Sequence, residues 1–150
     1  MLTDLILAIL HHVAIVTLIV LLAVEFALLR PGLSAADLRR LINVDAAYGA
    51  TAGLVIAIGI CRVVWGLKGP DFYLANVWFW AKMASFIAIG LLSIPPTMKL
   101  LAWRRALKQD PTFQPAPADV ARLRGFVHAE VGLLVLVVAF AAAMARYSGL

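Results

Sequence analysis

Four stretches of this chain, residues 5–29, 44–65, 77–101 and 126–145, are each apolar over about 20 positions or more, the length a helix needs to cross roughly 30 Å of hydrocarbon. A bilayer offers the backbone no hydrogen bonds, so such stretches must satisfy their N–H and C=O groups internally, as helices. The expected fold is an all-α integral membrane protein, one domain built as a four-transmembrane-helix bundle, with the lipid bilayer as its first partner. Composition agrees. Hydrophobic residues make up 64% of the 150 positions and charged residues 14%, against about 45–50% and 25% in soluble domains. A soluble fold of this size has no interior large enough for that much apolar surface. The first stretch is not a secretory signal by pattern. It opens Met1-Leu2-Thr3-Asp4 with no early Lys or Arg and stays apolar through Leu29, past the about 7–15 residues of a signal core. It reads as a retained helix.

The breaks between the stretches carry recognisable stops. Arg30-Pro31-Gly32 ends the first span, since proline cannot continue a helix and glycine tolerates the turn. Ser34-Ala35-Ala36-Asp37 reads as a capping box, opening a short interfacial helix that runs into the second span. Gly66-Leu67-Lys68-Gly69-Pro70 closes that span. Pro95-Pro96 remove two N–H donors near the end of the third span, so a kink is expected there. Residues 109–118 hold three prolines and form the one real loop, with Asp119 expected to cap the lead-in to the fourth span.

Orientation follows from where Lys and Arg fall in short connectors. Arg30, Arg39 and Arg40 lie in the first connector (30–43), and Lys99, Arg104, Arg105, Lys108, Arg122 and Arg124 around the third (102–125). Only Arg62, Lys68 and Arg146 lie on the other side, nine against three. Both connectors are therefore expected on the cytoplasmic side and both termini on the non-cytoplasmic side. Trp65, Trp78 and Trp80 then fall near the outer interface and Trp103 near the inner one. The net charge of +5 is spent on this asymmetry, so nucleic acid is not an expected partner. A lone Cys61 excludes an internal disulfide and reads as a packing residue. No repeat of solenoid length is present, and the two hairpins are too dissimilar for an inverted transporter repeat.

Ionisable groups inside spans cost several kcal/mol on insertion scales and so mark function by default. Here they sort by depth. His11, His12, Arg62 and Lys82 lie toward the outer side; Glu25, Asp45, His128 and Glu130 toward the cytoplasmic side. On the third span Trp78, Lys82, Ser85, Ile89, Ser93 and Pro96 share one stripe and are expected to look inward, although a lysine stem also reaches headgroups by snorkelling. On the second span Asp45, Gly49, Gly53, Ala57 and Cys61 repeat every four residues, the spacing of a close-packing face. His11 and Glu25 are nearly four turns apart and share a face, while His12 points about 100° away. One histidine should look into the bundle; the spacing leaves open which. His128 and Glu130, about 200° apart, cannot face the same site, and Glu130 in a first helical turn is also favoured by the helix dipole.

No pair of these groups has the i, i+3 or i, i+4 spacing of a helical metal site, so a metal would have to be held between helices. Cys-x-x-Cys-His for covalent haem is absent. A bis-histidine haem joining His12 and His128 would need residues near opposite faces; one outer-layer histidine, with Lys82 or nothing opposite, suits a haem better.

The first-span histidine, the close of the second span at Gly59-Ile60-Cys61-Arg62 and the Trp78-x-x-x-Lys82 of the third resemble HemJ-type membrane protoporphyrinogen oxidases. Phe79-Trp80-Ala81-Lys82, Leu92-Ser93-Ile94-Pro95-Pro96-Thr97 and Trp103-Arg104 resemble, over essentially the whole chain, a bacterial membrane family of unknown function, domain-of-unknown-function family 2214. The first resemblance implies b-type haem held in a four-helix bundle by His11 or His12, with Lys82 as the candidate catalytic group; the cationic outer layer, Arg62 with Lys82, is expected by its charge to pair with haem propionates. The second implies a bacterial inner (cytoplasmic) membrane. The doubled histidine and the acidic inner layer stand apart from the HemJ pattern. Three functions follow as expectations: haem or porphyrin binding with redox activity; a small proton-coupled transporter using Glu25, Asp45, His128 and Glu130; or an accessory subunit that docks, as a homo-oligomer or in a larger membrane complex, through the small-residue stripe.

Overall fold

The computed structural model describes residues 2–147, which form four long helices and one short one. Helix α1 spans Leu2–Leu28, α2 Ala35–Trp65, α3 Gly69–Leu74, α4 Val77–Gln109 and α5 Pro117–Arg146. The long four are each long and apolar enough to cross a membrane and carry the four expected spans. At about 1.5 Å per residue, the 31 residues of α2 and the 33 of α4 outrun roughly 30 Å of hydrocarbon. Their surplus lies at the end rich in Lys and Arg, called here the basic end. The opposite end carries both termini.

Local chemistry sets most boundaries. Gly32 supplies the positive φ of +75° that turns the chain between α1 and α2. Ser34 then caps α2 by accepting from the Asp37 amide at 3.1 Å, and α2 runs unbroken from that cap into its span. Ser34, then Arg30 and Arg40 at 3.4 and 3.7 Å, hold the Asp37 carboxyl below the usual carboxylate range. At the other end the Leu67 amide donates to Asp4 Oδ1 at 3.1 Å, tying the start of α1 to the exit from α2. Asn76 caps α4, accepting from the Trp78 amide at 2.9 Å.

Three details differ from the sequence reading. The six-residue α3 was not foreseen; Gly69, with φ of +70°, and Pro70 in the first turn start it. Helix α4 continues through Pro95 and Pro96 to Gln109, so the loop shortens to 110–116. Finally, α5 starts at Pro117, without a side-chain cap, because a proline at the first helical position already has the required φ and needs no partner for an N–H. Asp119 sits inside that first turn and pairs with Lys99 of α4 at 2.9 Å.

Helices α1 and α2 pack as one hairpin and α4 and α5 as another; narrower contacts of α1 with α5 and α2 with α4 close the square. That leaves α1 opposite α4 and α2 opposite α5 across the diagonals. Within the long helices, burial begins at Ala14 in α1 and Ser85 in α4, and ends at Val55 in α2 and Val137 in α5. At the basic end Leu29, Leu33, Leu38, Leu41, Leu100, Trp103, Leu107 and Leu123 are buried as part of one cluster. This distribution has a physical reason. The hydrophobic effect acts only where water competes, and within lipid helices associate through packing and polar contacts alone. Outward, Ile87, Leu91, Ile94 and Met98 of α4 and Val135 and Val138 of α5 are exposed to what surrounds the bundle. That is a lipid-facing belt.

Candidate functional site: two polar layers inside the bundle

Helix α1 turns His11 inward and His12 outward. His11 Cε1 lies 3.4 Å from where a Cβ on Gly59 would stand, so the ring sits against α2 at that glycine, with room for a methyl group and no more. His12 is exposed, its Nδ1 2.6 Å from the Ala8 carbonyl of its own helix. Arg62 of α2 and Lys82 of α4 lie within electrostatic reach of His11 and of each other. Because α1 and α4 are diagonal, His11 and Lys82 approach across the bundle axis. Lys82 Nζ stands 5.1 Å from the Phe79 ring centroid. One turn before it, Trp78 stacks on Phe140 of α5, centroids 6.0 Å apart and planes at 28°.

This layer is chemically incomplete. Among the described residues, the buried side-chain nitrogens with no hydrogen-bond partner are His11 Nδ1, Arg62 Nε and Trp78 Nε1. All belong to it. Each such orphan costs about 1–3 kcal/mol, and no carboxylate pairs with Arg62 or Lys82 among the described residues. The arrangement offers two N–H donors, an imidazole nitrogen and positive charge, and none of these meets a partner among the described residues.

The second layer lies toward the basic end and has the opposite character. Glu25, Asp45 and Glu130 are 2%, 7% and 1% exposed. Tyr48 donates to Glu130 Oε2 at 3.0 Å across the α2–α5 diagonal, and Thr97 of α4 donates to Asp45 Oδ1 at 2.8 Å. Glu25 of α1 lies within electrostatic reach of both other acids. All four long helices thus contribute, and no basic side chain pairs with these acids among the described residues. His128 stands apart. It is exposed, its ring 5.8 Å from that of Phe26, because two helical positions rotate it about 200° from Glu130. No three His, Cys, Asp or Glu side chains converge as a metal site among the described residues.

The inward stripe of α4 is as expected: Ser85, Ile89 and Pro96 are buried, and Trp78, Lys82 and Ser93 partly so. The small-residue stripe of α2 differs. Asp45 is buried, but Gly49, Gly53 and Ala57 are exposed, and a Cβ added at either glycine would meet nothing within 4 Å. That face turns away from the other three helices.

A model of domain-of-unknown-function family 2214 (DUF2214), described as a predicted membrane protein, matches residues 3–149. The chain belongs to that family. No curated protein and no solved structure matches it. In this DUF2214 member, sequence reasoning missed two partners of the acids. Tyr48 follows Asp45 by three positions, a spacing that already puts the two on one helical face. Thr97 carries no such signal, since only the packing of α4 against α2 brings it to Asp45. The Trp78 indole was seen as part of a stripe, and its unpartnered nitrogen needed the structure.

Proposed function

We infer that the protein binds an amphipathic anion of the haem or porphyrin class in the half of the bundle that carries the termini. One observation carries this reading. The enclosed, unpartnered nitrogens of His11, Arg62 and Trp78 gather in one layer beside the Lys82 ammonium, and a ligand with a flat apolar body and carboxylate arms answers each of them. The resemblance to HemJ-type oxidases asks for a first-helix histidine and a lysine on the helix of Trp78; His11 and Lys82 are the pair that face across the axis. Arg62 and Lys82 would hold carboxylates by charge-assisted hydrogen bonds, and His11 would offer a ring nitrogen to iron. A bound haem would supply one-electron chemistry at that iron. We place the protein in the bacterial cytoplasmic membrane with the basic end on the cytoplasmic side, an orientation that the nine-to-three distribution of Lys and Arg supports.

The test is the absorption spectrum of protein purified in detergent from haem-replete cells. A Soret band is expected. It is lost in His11→Ala, kept in His12→Ala, and weakened in Arg62→Gln, where haem retention falls about tenfold or more for a lost charged hydrogen bond. Colourless protein, or a band indifferent to His11→Ala, sinks the reading.

A second reading is favoured by the acid layer. Three buried carboxyls facing one another without a basic partner form a group that must share protons or take up a cation, since uncompensated buried charge is untenable. That is the chemistry of a proton-coupled transporter. Proton flux in proteoliposomes is expected to fall sharply in both Glu25→Gln and Asp45→Asn; equal flux in all three proteins removes this option.

A further inference from the structure

Outside both layers, at the basic end, a groove of about 460 Å³ lies between α2 and α4. It is lined by Arg39, Ile42 and Asn43 from α2 and by Arg104, Leu107, Lys108 and Pro111 from α4 and its exit. The two helices present the same pattern, a cation followed three and four residues later by an apolar and a polar residue. That spacing sets each trio on one helical face. Ile42 and Leu107 are buried and make an apolar floor, while Arg39, Asn43, Arg104 and Lys108 stand exposed around the rim.

These cations have no carboxylate of their own. The ion pairs among the described residues use Arg30, Arg40 and Lys99. Asp37, adjacent in sequence to the rim, is engaged by Arg30 and Arg40. Asp110, beside Lys108, turns Oδ1 onto the Thr112 amide and hydroxyl at 2.8 and 2.6 Å. Two guanidinium forks, an ammonium and an amide converging without an acid fit the oxygens of a phosphate ester, which guanidinium groups take two at a time.

We propose that this groove binds the phosphate headgroup of an anionic phospholipid. Lipid is favoured over a free phosphate by what lies next to the groove. Along α4 the face of Lys108 continues into Leu101 and Ile94, 44% and 50% exposed, and along α2 Ala47 and Ala50 follow Asn43, both exposed. A molecule with its phosphate among the rim cations therefore finds an apolar track for acyl chains leading into the bilayer. Basic pockets between membrane helices at this depth are headgroup sites on general electrostatic grounds. The assignment is independent of what the two inner layers bind.

The experiment is thermal unfolding of the detergent-solubilised full chain, titrated with phosphatidylglycerol, with phosphatidylcholine, or with sodium phosphate alone. Phosphatidylglycerol raises the midpoint and saturates; phosphatidylcholine and inorganic phosphate do not. In Arg39→Gln/Arg104→Gln the phosphatidylglycerol needed rises about fivefold for each charge removed. The control pair Arg105→Gln/Arg122→Gln, with equal net charge and outside the groove, titrates like the parent. Equal weakening in the two pairs reduces the effect to diffuse surface charge and overturns the site. A full midpoint rise with inorganic phosphate alone overturns the lipid assignment in favour of a soluble phosphate. Each variant's own midpoint in phosphatidylcholine shows that it is folded.

Discussion

Tyr48 shows how much of this interior rests on single hydroxyls. Its donation to Glu130 spans a diagonal of the bundle, where α2 and α5 have no backbone contact. In Tyr48→Phe a buried carboxyl loses its donor while the ring still fills the space, so the loss is close to that of an unsatisfied polar group, about 1–3 kcal/mol. A lower midpoint of unfolding in detergent checks this. Thr17→Val is the comparison, because the Thr17 hydroxyl bonds only the Val13 carbonyl of its own helix; its midpoint should barely move. At this scale the sequence could name the ionisable residues and their depth, because each sits at a countable distance from a helix end. It could not choose between His11 and His12. The absolute rotation of α1 is fixed by neighbours, and the seat at Gly59 is 48 positions away in sequence.

Among elements, the helices and their starts were legible wherever local chemistry decides. Ser34, Gly32 and the apolar lengths act within one turn of themselves. The α2 stripe failed for a geometric reason. Residues four apart run ahead by about 40° per step on a helix of 3.6 residues per turn, so a face that begins buried at Asp45 is already exposed at Gly49 and stays so at Gly53. Only the interior end of such a series says anything about packing inside the chain. On the side of α2 that does meet α1, Gly59 stands against the His11 ring. Gly59→Ala places a Cβ at ordinary van der Waals distance and should leave the Soret band and its position unchanged. Gly59→Leu drives branched carbons into the His11 ring and should abolish the band while the helix content by circular dichroism stays constant. A haem spectrum unaffected by Gly59→Leu would put the ligand elsewhere in the bundle.

For the whole molecule, the predicted arrangement has a sidedness that labelling can read. In a Cys61→Ser background, a cysteine at Gln114 should resist a membrane-impermeant thiol reagent in intact cells and react after lysis, while one at Lys68 should react in both. The reverse pattern would invert every depth assignment made from the Lys and Arg distribution. The four-helix architecture was readable from hydropathy, and so was the depth of the ionisable groups along the helices, but not that His12 and His128 turn out of the layers assigned to them. The unequal packing along the axis was not, because it depends on which helical ends protrude into water.

That inequality has a consequence for access. The two hairpins share a buried, leucine-rich cluster at the basic end, and toward the termini no residue of the four long helices is buried beyond Ala14, Val55, Ser85 and Val137. The cheapest parting line in the molecule therefore runs down between the hairpins from the end that carries the termini. A ligand of the proposed class, dissolved in the membrane, would slip in sideways along that seam, trading acyl chains for helix faces, without a water-filled mouth having to open.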